Sequence, residues 1–259
     1  MLDKHAQINE LGKYKSSFKN NDKRFGIQIS GLIRGRACAS IGAEINIRSG
    51  LTVALRYSAI RKQFGEKDEP ERCILDYQLQ RTRLLPHFGK MFALRAGHMG
   101  FINKYKDMRI LLKKDPENQL VGEYHAILSS YKALSSWYSV AALQDIRESC
   151  GGHGYSTYAS LGRIRDNTDV HVTWEGENNV LIQQTAKFLL KQIQQTFKGK
   201  KITLNSMLFL ETDPEAVNAL NFKFTSVEEL LQPDLLIKML EARCNYLIGS
   251  SMKKLQEML

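Results

Sequence analysis

Apolar side chains recur at helical spacing over four long stretches of this chain, and the stretches fall one after another. Between residues 27 and 62 the stripe runs through Ile29, Leu32, Ile33, Ala37, Ile41, Ile45, Leu51 and Leu55, with glycines at 31, 35, 42 and 50 that permit close packing. Phe64-Gly65 is read as its stop, because glycine takes the left-handed conformation after a last helical turn. A second stripe, residues 70 to 114, starts near Pro70, a residue suited to a first helical turn, and includes Ile74, Leu75, Leu79, Leu84, Leu85, Phe88, Met91, Phe92, Leu94 and Met99, with Pro86 as a point of kinking. Asp115-Pro116-Glu117-Asn118 breaks the pattern before a third stripe over 119 to 149, through Val121, Tyr124, Ile127, Leu128, Tyr131, Leu134, Trp137, Val140 and Leu143. The fourth opens at Glu175 and continues through Val180, Leu181, Thr185, Phe188 and Leu189.

Short connections place sequential helices side by side, so these stripes predict an all-α chain built on an antiparallel four-helix bundle. No alternating strand pattern and no internal repeat stands out. Residues 1–26 are polar and read as a tail or connector, 27–195 as the bundle, and 196–259 as a second, smaller helical region of two or three short helices, entered through a linker after Gln192.

The 259 residues carry a net charge of +10, with 43% hydrophobic and 25% charged residues, the composition of a globular protein. No apolar run approaches the roughly 20 residues that span a bilayer, and the N-terminus has no apolar signal core, so a membrane is not an expected partner and an intracellular compartment is. Lysine and arginine cluster at 13–24, 56–62, 81–83, 104–114 and 198–201 without a recognisable nucleic-acid-reading module, which favours solvated helix faces or a surface attracting phosphate-bearing metabolites over nucleic acid. Cys38, Cys73, Cys150 and Cys244 are far apart and form no CxxC pair, so they read as free thiols, and the six histidines have no ligand spacing that implies a metal.

Candidate chemistry concentrates between residues 150 and 184. GGHG at 151–154 follows a helix rather than a strand, so it is not a nucleotide loop of the usual kinds; it is either a helix-ending bend or a place where backbone comes close to a flat or phosphorylated ligand. His153 lies inside it. Glu175, at an expected helix start, combines a carboxylate with unpaired backbone N–H groups, a setting that suits a base; a plain helix start with Thr173 as its cap fits the same residues.

Three motifs occur in order: RYSAIRKQFG at 56–65, CGGHGY at 150–155 and TWEGENNVLIQQ at 173–184, with ILDYQLQRTRLLP at 74–86 between the first two. Together with LDKH at 2–5 and RFGIQISGLIRGR at 24–36 they resemble the acyl-CoA oxidases, flavoenzymes of the acyl-CoA dehydrogenase superfamily, and LGRIRDNTDVHVTWEGENNVLIQQT is most similar to the branched-chain (pristanoyl-CoA) branch. The resemblance implies a C-terminal portion of such an enzyme: the end of a β domain, then the flavin-side bundle, then the start of a last helical domain. It implies oxidation of a fatty acyl-CoA by O2 to trans-2-enoyl-CoA and hydrogen peroxide with FAD as cofactor, in peroxisomal β-oxidation, by a fragment expected to be inactive alone.

By the same resemblance Glu175 is the base that removes the α-proton, and Gly176 leaves room for ligand. Arg61, Phe64, Gln78, Gly152, Glu177 and Asn178 contact FAD, the first two on a cofactor held mainly by the other subunit of a homodimer, while Arg36 faces the substrate. The pattern departs from the family at Trp174 and Glu177, where tyrosine and aspartate are usual, and Glu148 stands where dehydrogenase relatives carry a flavin-contacting glutamine. The chain ends in QEML, not in a peroxisomal SKL-type sequence, so the compartment follows from the family. Two readings compete: a catalytically incomplete helical dimerisation or scaffold module, and a basic nucleic-acid-binding helical protein.

Overall fold

The computed structural model describes residues 6–16, 18, 20, 24, 31–115, 118, 120–211, 222 and 224–258. The LDKH motif, residues 25–30 of the 24–36 motif, the expected helix start at 27, Pro116-Glu117, Gln119 and Pro214 lie outside them. The chain divides into two compact units, Met1–Ala186 and Lys187–Leu259.

The first unit begins with a small antiparallel hairpin, β1 (Ala6–Ile8) against β2 (Tyr14–Ser16), with Ala6 opposite Ser16, which the apolar pattern did not reveal. Helix α1 (Gly31–Ile60) follows, then α2 (Gln78–Lys114) and α3 (Leu120–Ser149). Helix α6 (Asn178–Phe197) is the fourth long helix, and its first part lies in this unit. Cross-bonds fix the directions. Arg36 and Ala43 on α1 meet Ser129 and Ser139 on α3, so those two run parallel. Gln80 on α2 meets Ser58 on α1 and Ser149 on α3, and Tyr131 donates to the carbonyl of Leu94, so α2 runs against both. Asn178 reaches Ser136 while Thr185 reaches the carbonyl of Ala126, so α6 also runs against α3. This is the up-down-up-down four-helix arrangement expected from the four stripes.

The interior takes in part of those stripes, Leu51, Leu84, Met91, Leu94 and Leu143 among them, together with many small residues. On α1 the buried positions are Ile33, Arg36, Ala39, Ser40, Ala43, Glu44, Ile47, Gly50, Leu51, Ala54 and Ser58; on α3 they include the small Ser129, Ala133, Ser136, Ser139 and Ala142 beside Leu128, Leu143 and Ile146. Small residues let the two helix backbones approach closely, and buried Ser40, Ser129 and Ser136 return their hydroxyls to carbonyls of the preceding turn, Ser136 to Lys132 at 2.8 Å, while Ser139 donates across to α1. Several bulky members of the sequence stripes face outward: Leu79, Leu85, Phe88, Phe92, Leu134 and Trp137 are 42 to 79% exposed.

Element boundaries also shift. α1 stops at Ile60, and residues 61–77 fold into a ladder-like loop in which Gln63 N–H donates to Arg72, Arg72 N–H to Phe64 and Ile74 N–H to Arg61. Phe64 itself takes a left-handed φ of 59°. Pro70 lies in this loop, eight residues before α2, and Pro86 lies inside α2, whose helical backbone runs on past it. The polar stretch after Cys150 contains two unforeseen helices, α4 (Gly151–Tyr155) and α5 (Leu161–Asp169), and α5 packs on α3 and α1 through Leu161 and Thr168.

In the second unit, helical backbone of α6 continues to Phe197, into the stretch read as a linker. A 3-10 segment, Asn205–Glu211, is tied by the Asn245 amide to the carbonyl of Phe209 at 2.6 Å. α7 (Val227–Leu230) has Ser226 as its cap, and α8 (Pro233–Glu257) is a 25-residue helix with proline at its first position, longer than the short helices expected in this region. Ile193, Ile202, Leu204, Met207 and Ala242 are buried.

Candidate active site

The segment between the 3-10 turn Val170–Val172 and α6 crosses the end of the bundle as a tight turn. Its left-handed residues are Glu175 at φ 58° and Gly176 at φ 111°. A non-glycine residue rarely occupies that region, and such residues cluster where surrounding structure over-determines them. Here the surroundings are two cations. Arg36 of α1 donates from Nε to the carbonyl of Glu175 at 3.1 Å, and Lys132 of α3 donates from Nζ to the carbonyl of Gly176 at 2.7 Å. Successive carbonyls of the turn are thus held from two different helices.

That anchoring sets the carboxylate over α1. A Cβ added at Gly35 would lie 2.2 Å from Oε2 of Glu175 and 2.3 Å from Cδ, so the acid rests on bare helix backbone. Oε2 is buried without a hydrogen-bond partner among the described residues. A buried acceptor left open in this way calls for an explanation, a bound group being one.

Both clamps are built into polar networks. Arg36 is 5% exposed and also donates from Nη1 to Nδ1 of His125 at 2.9 Å and to Ser129 Oγ at 3.1 Å. Since guanidinium only donates, Nδ1 of His125 is an acceptor and the ring carries its proton on Nε2. Burial, then the Arg36 charge, holds the His125 pKa below its usual value, and burial also lowers that of Arg36 against the opposing pull of Glu175. Lys132 has no exposed surface and gives a second bond, 2.8 Å, to Oδ1 of Asn178. Burial and the nearby Arg36 push its pKa down to about 8, while Glu177 and Glu175 pull the other way. Beside the turn, Trp174 Nε1–H donates to Nδ1 of His171 at 2.9 Å, which leaves that ring neutral with its proton on Nε2. The His171 ring packs over Gly42 of α1.

Several sequence expectations are corrected by this geometry. The helix starts at Asn178 and not at Glu175, so Glu177 takes the capping position, its carboxylate accepting from Val180 N–H at 3.1 Å and from the Asn179 amide. Hydrogen bonding from the backbone of Asn179 and then of Val180 holds its pKa below the usual carboxylate range. Thr173 is no cap; its hydroxyl turns back to the carbonyl of Val170. Asn178 is wholly buried, its amide nitrogen donating to Ser136 Oγ and the Ala133 carbonyl and its Oδ1 accepting from Lys132, so it positions the turn. The Arg36 guanidinium bonds the Glu175 carbonyl, His125 and Ser129 inside the fold. Gly176 takes a φ of 111°, and a Cβ there would also lie 2.7 Å from Leu181 Cδ2, so the position suits glycine.

The other candidates lie at the far end of α1. From Gly35 to Ile60 the helix advances about 38 Å, twenty-five residues at ~1.5 Å each. At that far end Arg61 is exposed with its guanidinium near Gln63 Oε1 at 3.3 Å, and Phe64 is 70% exposed. Gln78, exposed, opens α2, whose first turn bonds the Ser149 carbonyl through Gln80. Gly152, also exposed, adjoins His153, whose Nδ1 meets Tyr57 Oη at 3.1 Å. One chain therefore does not bring Glu175 together with Arg61, Phe64, Gln78 and Gly152.

The family model for the acyl-CoA oxidase C-alpha1 domain matches residues 29–190, more than half of the chain. The chain belongs to the acyl-CoA oxidases. Acyl-coenzyme A oxidase 2 of Arabidopsis thaliana, peroxisomal by name, is 37% identical over 207 residues, 79% of this chain and 29% of that protein. Human peroxisomal acyl-coenzyme A oxidase 3 is 33% identical over 99% of this chain and 38% of its own length. This oxidase chain thus spans between a quarter and two fifths of the length of these relatives. The crystal structure of tomato acyl-CoA oxidase LeACX1 matches 98% of the chain and 38% of its own with a TM-score of 0.87 at 27% identity. Acyl-CoA oxidase-1 of Caenorhabditis elegans, solved with FAD and ATP, matches in fold with a TM-score of 0.80 at 24% identity over 99% of this chain and 37% of its own.

Lys132, His125, Ser129 and His171 were not foreseen as parts of the site. Gly35 was read as a close-packing residue, which it is, although the group it accommodates is the candidate base.

Proposed function

We propose that this chain supplies the proton-abstracting half of an FAD-dependent acyl-CoA oxidase that converts a fatty acyl-CoA and O2 to trans-2-enoyl-CoA and hydrogen peroxide in peroxisomal β-oxidation. The observation that carries the reading is the Glu175 carboxylate, held at a left-handed residue over Gly35 with Oε2 buried and open. An acceptor fixed by two backbone clamps is pre-aligned for a carbon acid, and alignment of a base with its proton supplies a large part of such a barrier. Glu175 Oε2 takes the α-proton. Arg36 and Lys132 keep the turn from moving as the proton arrives. Gly35 removes the side chain that would otherwise occupy the place of the acid.

The residues suited to FAD form the second cluster. Arg61 is an exposed guanidinium able to grip a pyrophosphate in its planar fork, and Phe64 offers an exposed ring beside it. Gln78 and the open backbone at Gly152, where an added Cβ would meet nothing within 4 Å, complete a polar, uncrowded rim. When bound, FAD accepts the hydride from the β-carbon and passes the electrons to O2. Because the clusters sit at opposite ends of α1, we infer a homodimer in which the Arg61 end of one chain meets the flavin serving Glu175 of the other. The outward Leu85, Phe88 and Phe92 of α2 and Trp137 of α3, 42 to 52% exposed, are the surface such a partner would cover.

The test is a chimera in which this chain replaces the matching segment of a characterised peroxisomal acyl-CoA oxidase. Glu175→Gln should abolish acyl-CoA-dependent peroxide formation while leaving the flavin spectrum in place. Undiminished turnover by that variant would remove Glu175 from the role of base.

A further inference from the structure

We propose that Lys132 is a protonation-dependent clamp on the Glu175 turn, a positioning residue whose ammonium form holds the candidate base in place and whose loss of a proton loosens it. The proposal rests on the reading of Glu175 as the base for its purpose, but not for its geometry. A lysine with no exposed surface is rare unless its charge is engaged. This one gives both of its bonds to a single structural feature, the Gly176 carbonyl at 2.7 Å and the Asn178 side chain at 2.8 Å. Those two acceptors flank Glu177 and lie one and three residues beyond the base. Asn178 is in turn tied to Ser136 and Ala133, so the ammonium joins α3, the turn and the start of α6 at one point.

The charges around it explain how finely the clamp is set. Arg36 faces it from α1 and opposes its charge, Glu175 and Glu177 face it from the turn and favour it, and His171 is close enough from the neighbouring 3-10 turn to feel it. With burial added, proton loss falls near pH 8, far below an ordinary lysine. Bonds from an ammonium are roughly twice as strong as neutral ones, so above that pH both contacts persist only in weakened form. Arg36 still holds the carbonyl of Glu175, and the turn then keeps one of its two cationic anchors.

The chain contains its own reporter. It has two tryptophans, and one of them, Trp174, is in the clamped turn next to Glu175. With Trp137 changed to Phe, emission of the intact chain reports Trp174 alone. The expected result is an emission shift with a midpoint near pH 8 that is absent in Lys132→Met. In Lys132→Arg, which cannot lose its proton in this range, emission stays at its neutral-pH position up to pH ~10. Protonation of His171 also perturbs Trp174, but burial and Lys132 hold the His171 pKa below 6.5, well apart from this transition. A flat titration of the Trp137→Phe chain, or a pH 8 transition surviving in Lys132→Met, overturns the clamp. Where circular dichroism shows Lys132→Met unfolded, the Lys132→Arg chain decides: an unchanged midpoint overturns the proposal and its loss supports it. None of these readouts needs turnover, so an active Glu175→Gln chimera would sink the base assignment without touching the clamp.

Discussion

Replacing Gly35 by alanine separates the chemistry of this fold from its stability. The new Cβ would sit 2.2 Å from Oε2 of Glu175, 2.3 Å from Cδ and 2.5 Å from Oε1. Non-bonded carbon contacts are comfortable at about 3.5 to 4.0 Å, so the carboxylate must retreat by more than ~1 Å. The backbone of Glu175 cannot follow, because Arg36 holds its carbonyl and Lys132 holds the next. The movement therefore falls on side-chain torsions, at an expense of about 0.5 to 1.5 kcal/mol for an off-rotamer angle. Alanine in a helix interior recovers about 1 kcal/mol over glycine. These terms nearly cancel, and the melting temperature of the variant should stay close to that of the parent.

Turnover should not. A base displaced by about 1 Å from its aligned position loses on the order of 10²-fold in rate. The assay is peroxide release by the chimeric oxidase at saturating acyl-CoA, read beside a thermal melt. Gly89→Ala is the control: it too is a helix-interior glycine, on α2, and its added Cβ meets nothing within 4 Å, so it should gain stability without loss of turnover. A Gly35→Ala enzyme with the kcat of its parent would refute the placement of the acid, and so would equal losses in both variants.

Two further outcomes follow from the same coordinates. Gly154→Ala should destabilise the chain by about 3 kcal/mol in urea unfolding, because its Cβ would fall 1.9 Å from the backbone carbonyl oxygen of Arg147, which no side-chain rotation relieves. Lys132, with a folded pKa of about 8 against 10.5, is neutral in the native chain and charged in the unfolded one between those values; unfolding free energy should therefore rise with pH across that window, by up to about 3 kcal/mol, and Lys132→Met should remove this contribution.

The four long helices were legible because their apolar residues repeat with the helical period, whichever way the side chains face. Which side faces inward was not. On α1 and α3 the buried faces mix alanine, serine and glycine with Ile33, Ile47, Leu51, Leu128, Leu143 and Ile146, while the bulky Leu85, Phe88, Phe92 and Trp137 lie outside them. A rule that equates size and apolarity with burial finds Leu51, Leu84, Met91 and Leu143 but misses the small-residue contacts between them. α5 escaped notice for a related reason: Arg163, Arg165, Asp166 and Asn167 dominate its composition, and its anchors are Leu161, Ile164 and Thr168, a three-and-four spacing short enough to be missed. Glu175 was found through the motif around it. Lys132 was invisible, since a lysine on an amphipathic helix reads as solvent-facing until a carbonyl forty-four residues away is brought to meet it.

That dependence reaches well beyond the site. Arg36 and Lys132 can hold successive carbonyls of one turn only while α1 and α3 keep their axial register, and a slip of one residue along a helix moves a side chain by about 1.5 Å and turns it by roughly a quarter of a turn. The register is fixed far from the acid. Ser139 donates to the carbonyl of Ala43 at 3.0 Å, and Gly50 leaves the gap into which Leu143 packs, its Cδ2 lying 2.7 Å from where a Cβ would be. Gly50 is fifteen residues from Gly35, about 22 Å along α1. A side chain at Gly50 would push α3 away at that level and tilt Lys132 off the Gly176 carbonyl, while Arg36, on the same helix as the substitution, would keep its own bond to Glu175. The small-residue seam is thus part of what aligns the base, even though none of its members approaches a substrate.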